Sequence, residues 1–253
     1  MGVLYLQILI AGDSTLVVKF GNEINEEINQ RVRAFRSTVE KSKIEGILEY
    51  IPTYCTVYVF YDPLKIKTKD IIKKLNQIEE DASHTELPKP NIVEVPVAYG
   101  GENGPDISNV AEAHGITPED VIRLHSSKEY LVYMLGFTPG FTFCGGLGDD
   151  LATPRIKNPR TKVPAGSVGI AGKQTGLYAI SSPGGWQLIG RTTKRFYNPE
   201  ATPPVPIKAG DYIRFVPISA EEFEAHRSDV EAADNPPASW RSEERRVGKE
   251  CRS

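Results

Sequence analysis

The chain has 253 residues, 40% of them hydrophobic and 25% charged, and carries a formal net charge of −3 at pH 7. That length allows one large domain or two of ordinary size with ample core material, and the weakly acidic balance gives no general attraction to nucleic acid or to an anionic membrane. No apolar run approaches the roughly 18–20 residues that span a bilayer, and the opening MGVLYLQILIAGD lacks the basic leader of a signal peptide. The three cysteines, Cys55, Cys144 and Cys251, are far apart and odd in number. They fit a reducing cytoplasm and argue against a disulfide framework or a zinc site.

Along the chain, Leu4–Ile10 and Leu16–Phe20 read as strands split by the turn Ala11-Gly12-Asp13-Ser14. Ile24, Ile28, Val32, Phe35 and Val39 fall on one face of a helix. Gly46–Tyr50 and Thr53–Tyr61 are β-branched and aromatic, punctuated by Pro52, and a second helix carries Ile71, Ile72, Leu75 and Ile78 on its apolar face. This order predicts an α+β layer with helices on one side of a small sheet. The polar stretch Asp81–Asn91 is the linker candidate. Beyond it, Ile92–Ala98 predicts a strand, and GGENGPD a loop delivering Asp106 as the cap of a short helix. Thr117-Pro118-Glu119-Asp120 is a helix start with a hydroxyl cap, proline at the first position and acids in the first turn. Tyr130–Leu135 reads as a strand.

From Gly136 to Ala220 prolines and glycines recur between short β-branched runs without helical period, the pattern of a β-barrel or sandwich. Residues 151–215 hold ten Lys or Arg against two acids, Glu200 and Asp211. Such a segment suits a small anion, a phosphate or an acidic partner, or else a basic face balanced by acids elsewhere. The end, SEERRVGKECRS, has no apolar period and reads as a non-native, disordered tail.

AGSVGIAGKQTG (165–176) invites two motif readings, and neither holds. A phosphate loop fails because Ser167 stands at the first glycine position, Gln174 at the last hydroxyl position, and no helix follows. A nucleophile elbow fails because Ala165 replaces the first glycine and no Asp-then-His order completes a triad. The four histidines include no metal-binding pair. What survives is a constellation. GFTPGF (136–141) and SSPGGWQLIGRT (181–192) are rigid loops whose amides, at Gly184 and Gly185 among others, are free to face a ligand. Arg155, Arg160 and Arg191 offer planar forks for carboxylate or phosphate, and Gln174, Ser181, Ser182 and Thr192 are hydrogen-bonding candidates. The alternative is that the glycines turn barrel corners, with Trp186 and Phe141 in the core.

HSSKEYLVYMLGFTPGFTFCGGL (125–147), PRIKNPRTKVPAGSVGIAGKQTGLYAISSPGGWQLIGRT (154–192) and AGDYIRF (209–215) strongly resemble the 5-oxoprolinase B-subunit family. The resemblance runs over about residues 1–232 and implies a ferredoxin-like N-terminal domain (1–88), a cyclophilin-like β-barrel domain (89–232) and a tail (233–253) outside both. It implies a split enzyme, inactive alone, in which subunits A and C join this chain to open 5-oxo-L-proline to L-glutamate with ATP as co-substrate. Two other branches of the family imply alternatives: KipI-type inhibition of a sporulation sensor histidine kinase, and a carboxyltransferase-type subunit acting on urea-derived substrates. His125, the one histidine of the family block, becomes the candidate for proton transfer, unless it simply ends a helix and is satisfied locally. Arg155, Arg160 and Arg191 become candidates for stabilising a phosphorylated intermediate. Phe137, Phe141, Phe143 and Trp186, placed in loops, are expected to be anchors for a partner chain, with Trp186 serving assembly more than folding.

Overall fold

The computed structural model describes residues 6–82, 87 and 89–232. The expected tail, His84, Cys251 and part of the expected linker lie outside these residues. By compactness the chain divides into two units, residues 1–91 with 131–134 and 209–212, and residues 92–130, 135–208 and 213–253.

In the first unit β1 (Gln7–Ile10) and β2 (Thr15–Lys19) are followed by α1 (Glu26–Ser42), β3 (Ile47–Pro52), β4 (Thr56–Tyr61) and α2 (Thr68–Ala82). The strands form an antiparallel four-stranded sheet in the order β1-β2-β4-β3. The side chain of Asn25 accepts from the amides of Glu27 and Ile28 and so starts α1. Ile28, Val32, Phe35 and Val39 are buried as the periodicity predicts, whereas Ile24 precedes the cap and is 44% exposed. Period-two alternation sends Leu16, Val18, Val57, Val59 and Tyr61 into the same core, where Ile71, Leu75 and Ile78 of α2 join them. Pro52 ends β3 rather than interrupting it. The connectivity, ββαββα, opens on two strands where the βαββαβ ferredoxin-like order opens on one.

The remaining elements are β5 (Ile92–Tyr99), α3 (Ile107–His114), α4 (Pro118–Ser126), β6 (Glu129–Leu135), β7 (Thr142–Cys144), β8 (Arg160–Val163), β9 (Ser167–Ala171), β10 (Gln174–Leu177), β11 (Ser182–Gly184), β12 (Gln187–Thr192), β13 (Tyr212–Ile218) and α5 (Ala220–Glu231), all in the second unit except Leu131–Met134 of β6 and Tyr212 of β13. Seven of these strands close into a barrel in the order β10-β7-β6-β13-β5-β12-β9, and β8 with β11 makes a separate two-stranded ribbon. The segment AGSVGIAGKQTG is a barrel hairpin: Ala171 pairs with Gln174 across Gly172-Lys173, and every residue of β9 is buried. α4 starts on a capping box between Thr117 and Asp120 with Pro118 in the first turn, as the sequence predicts. Asp106 behaves differently. It stands at the N-cap position of α3 but makes no cap hydrogen bond. Its Oδ1 instead accepts from Arg160 Nη2 at 2.7 Å, and its Oδ2 from the Leu188 amide at 2.7 Å. One carboxylate thereby fastens the ribbon to the barrel strand β12.

Candidate functional site

An open cavity of about 300 Å³ lies where the loop 136–141 faces the ribbon. The segment before β8 supplies Arg155, Ile156 and Pro159, and the β11 turn supplies Pro183, Gly184 and Gly185. These two segments are held together by the Ile156 amide donating to the Gly185 carbonyl at 2.8 Å and by pairing of Gly184 with Arg160. The remaining wall is aromatic: Phe137, Phe141, Phe143, Tyr178 and Trp186. The Phe141 ring is its hub, with centroids 4.5 Å from Phe143, 4.8 Å from Tyr178 and 5.4 Å from Trp186 in edge-on or tilted arrangements. Gly184 is required at this contact, because a Cβ there would stand 2.5 Å from the Tyr178 hydroxyl. Burial pushes the Tyr178 phenol up to about 12, against the lowering effects of a Trp186 backbone hydrogen bond and of Arg155 and Arg160. It therefore stays protonated at neutral pH. Arg155 is exposed on the rim and has no ion-pair partner among the described residues. The arrangement is an apolar slot with one cation at its mouth and one phenol in its wall.

Residues 6–207 match the family described as carboxyltransferase domain, subdomain C and D. The chain is 43% identical to the B subunit of the Bacillus subtilis 5-oxoprolinase over 88% of its own length and 97% of the relative's. The chain belongs to the 5-oxoprolinase B-subunit family. A conserved uncharacterized protein from Pyrococcus horikoshii, known as a crystal structure, shares 48% identity and a TM-score of 0.52, covering 86% of this chain and 100% of that one. The urea carboxylase of Kluyveromyces lactis aligns with a TM-score of 0.74 at 23% identity, over 92% of this chain and 24% of its own, and shares the fold.

In this member of the 5-oxoprolinase B-subunit family, the residues singled out from the sequence lie in several places. Arg155, Gly184 and Gly185 line the cavity. Arg160 stands beside Gly184 in the ribbon but commits Nη2 to Asp106, while its buried Nη1 has no hydrogen-bond partner. Arg191 is buried in β12, its Nε donating to the Ala165 carbonyl and its guanidinium 5.8 Å from the Phe223 ring centre. Gln174 closes the β9–β10 hairpin, and Ser181 donates to the Val163 carbonyl. Ser182 is buried in β11 with its hydroxyl unpartnered. Thr192 is fully buried and accepts from the Lys194 amide.

His125 is completely buried in the second unit, away from the cavity lining. Its ring stacks on Phe215 and Tyr130, with centroids 4.5 and 5.2 Å away. Its Nδ1 lies 2.8 Å from the Tyr99 hydroxyl and its Nε2 2.8 Å from Thr175 Oγ1. Thr175 Oγ1 also donates to the Gly169 carbonyl at 3.1 Å. The threonine proton is thus spent on Gly169, so Nε2–H donates to Thr175 and Nδ1 accepts from Tyr99. Burial, helped by the Lys128 charge, lowers the imidazole to about 3. Trp186 is 4% exposed and Phe141 1% exposed, both within a core cluster with Val163, Tyr178 and Leu188. The expected interface anchor is thereby corrected: Trp186 and Phe141 turn inward onto one another, Phe143 is half-buried in β7, and Phe137 stays open to solvent, at 65%. Burial likewise pushes the Cys144 thiol up to about 12, which makes it a core side chain and not a nucleophile. Among the described residues no cluster suits a metal ion, and no helix is long and apolar enough to cross a membrane.

Tyr178 escaped the sequence reading altogether. Its signal, an aromatic among short barrel strands, is shared by many core residues, and its role comes from Gly184 approaching it closely.

Proposed function

We propose that this chain is the B subunit of an ATP-dependent 5-oxoprolinase and that its aromatic cavity receives 5-oxo-L-proline. The observation that carries the reading is the single unpaired guanidinium, Arg155, at the mouth of an otherwise aromatic slot. A small lactam that bears a carboxylate matches both features: the ring against Phe141, Phe143 and Trp186, the carboxylate on Arg155. Tyr178 keeps its proton and offers an O–H to the lactam carbonyl, raising that carbon's electrophilicity. The cavity, about 300 Å³, sits at the lower end of small-molecule sites and has one free cation in its lining. That suits the lactam and not a nucleotide triphosphate, so we place ATP binding on a partner chain. Among the lining residues no base or nucleophile is poised for attack, which agrees with a site completed by subunits A and C and with a chain inactive alone. We read the fold as ferredoxin-like over residues 1–88, since β2-α1-β3-β4-α2 without β1 follows the βαββα part of that order, and as cyclophilin-like over 89–232.

The test is reconstitution with subunits A and C. Arg155→Ala lowers kcat/KM for 5-oxoproline by roughly tenfold to a hundredfold, the worth of a charged hydrogen bond, with assembly intact, and Arg155→Lys restores part of it. An Arg155→Ala complex with undiminished kcat/KM would sink the assignment of this cavity.

A further inference from the structure

Phe137 carries a backbone conformation that its residue type does not favour. Its φ is +67°, in the left-handed region, and it is one of two non-glycine residues with positive φ among those described. The Thr138 amide donates to the Gly136 carbonyl at 2.8 Å, closing a three-residue turn around Phe137. Such a γ-turn with positive φ is rare and strained. The rest of the loop holds it there. The Phe141 amide donates to the Thr138 carbonyl at 3.1 Å across Pro139-Gly140, and the Gly136 amide donates to the Phe141 carbonyl at 3.2 Å. Gly140, with φ +75°, would bring a Cβ within 2.8 Å of the Ala179 Cβ, so this second turn is fixed by packing.

A glycine at 137 would relieve the turn, and the side chain present adds little to the core, being 65% exposed. Yet an aromatic ring stands there, on the rim of the cavity, edge-on to Phe141 at 5.6 Å. Strain of this kind persists where the surroundings enforce it, and it gathers at ligand clamps.

We propose that Phe137 is a ligand clamp: its ring, held out by the strained turn, closes over the outer face of a small flat ring bound against Phe141 and Phe143. The clamp sets specificity for compact planar ring acids over open-chain ones, because only a ring presents a face to cover. This inference rests on the reading of the cavity as the lactam site, and its test separates the two.

The complex reconstituted with subunits A and C is titrated, without ATP, with 5-oxo-L-proline and with L-glutamate by calorimetry, for the parent, Phe137→Gly, Phe137→Ala, Phe137→Leu and Arg155→Ala. Phe137→Gly and Phe137→Ala weaken 5-oxoproline binding by about tenfold and narrow the preference over glutamate, while Phe137→Leu recovers part of the affinity. In thermal melts Phe137→Gly lies above Phe137→Ala, the reverse of the usual order, because glycine releases the turn and alanine does not. If Arg155→Ala loses binding while Phe137→Gly and Phe137→Ala bind like the parent, the clamp is wrong and the cavity assignment stands. If the parent complex shows no saturable response, both fall. If Phe137→Gly melts well below Phe137→Ala, the turn stores no strain and the clamp loses its basis.

Discussion

Holding His125 neutral in the core makes stability depend on pH in a way that one substitution removes. Folding depresses its pKa from the ordinary value of 6.5 to about 3, so the unfolded chain binds this proton more readily than the folded one. The stabilisation is fully present above the unfolded value and is lost as the pH falls from there through the folded value. Across that window one proton corresponds to about 1.4 kcal/mol per pH unit. Between about pH 7 and about pH 5 the group therefore removes about 2 kcal/mol of stability. Carboxylates add their own dependence, but it is common to the parent and to His125→Gln, so the difference between their pH slopes isolates the imidazole. Urea unfolding of the full chain, followed by far-ultraviolet circular dichroism, gives both slopes, and the parent loses about 2 kcal/mol more than the variant over this range. If His125→Gln is too unstable to measure, nitrogen NMR of the parent replaces it, with the Nε2–H tautomer persisting well below pH 6.5. Equal slopes in the two proteins, or an imidazole that titrates near its ordinary value, would falsify the buried neutral network of Tyr99, His125 and Thr175.

Trp186→Ala removes a ring packed against Phe141 and Tyr178, which costs about 3–5 kcal/mol and lowers the melting temperature of the isolated chain by roughly 10 °C; an unshifted melt would return Trp186 to the surface. Asp106→Asn leaves Arg160 without a carboxylate but keeps an oxygen for the Leu188 amide, and destabilises by about 2 kcal/mol, between the surface and buried limits for ion pairs. Asp106→Ala removes both acceptors and is worse by about another 1 kcal/mol; chemical denaturation showing the two variants equal would mean that the Leu188 hydrogen bond contributes nothing.

What the sequence discloses here is what depends on near neighbours. The buried face of α1 and the capping box at Thr117 are written in spacings of three and four residues. Asp106 marks the limit of such reading: its place at the start of α3 is local and legible, but its partners lie 54 and 82 residues away. Arg191 and Thr192 looked like ligand donors because their strand is glycine-rich and polar, yet all of β12 is buried and their groups bond within the fold. Trp186 looked exposed because loops normally are; a closed barrel with an attached ribbon gives its loop an interior side. Arg155, Gly184 and Gly185 line the cavity because proline and glycine shape the two chain segments that meet there.

The ribbon of β8 and β11 lies outside the barrel ladder yet carries Gly184 and abuts Arg155 and Pro159. A wall built this way is free to change on its own. Substitutions or insertions within residues 155–159, or at Pro183 and Gly185, can widen, narrow or recharge the slot while the seven-strand cylinder keeps its hydrogen bonds, provided that Gly184 stays and Asp106 still finds a guanidinium at position 160. For an engineer seeking a new ring-shaped ligand, that ribbon is the part to randomise, and the carboxylate anchoring it is the part to leave alone.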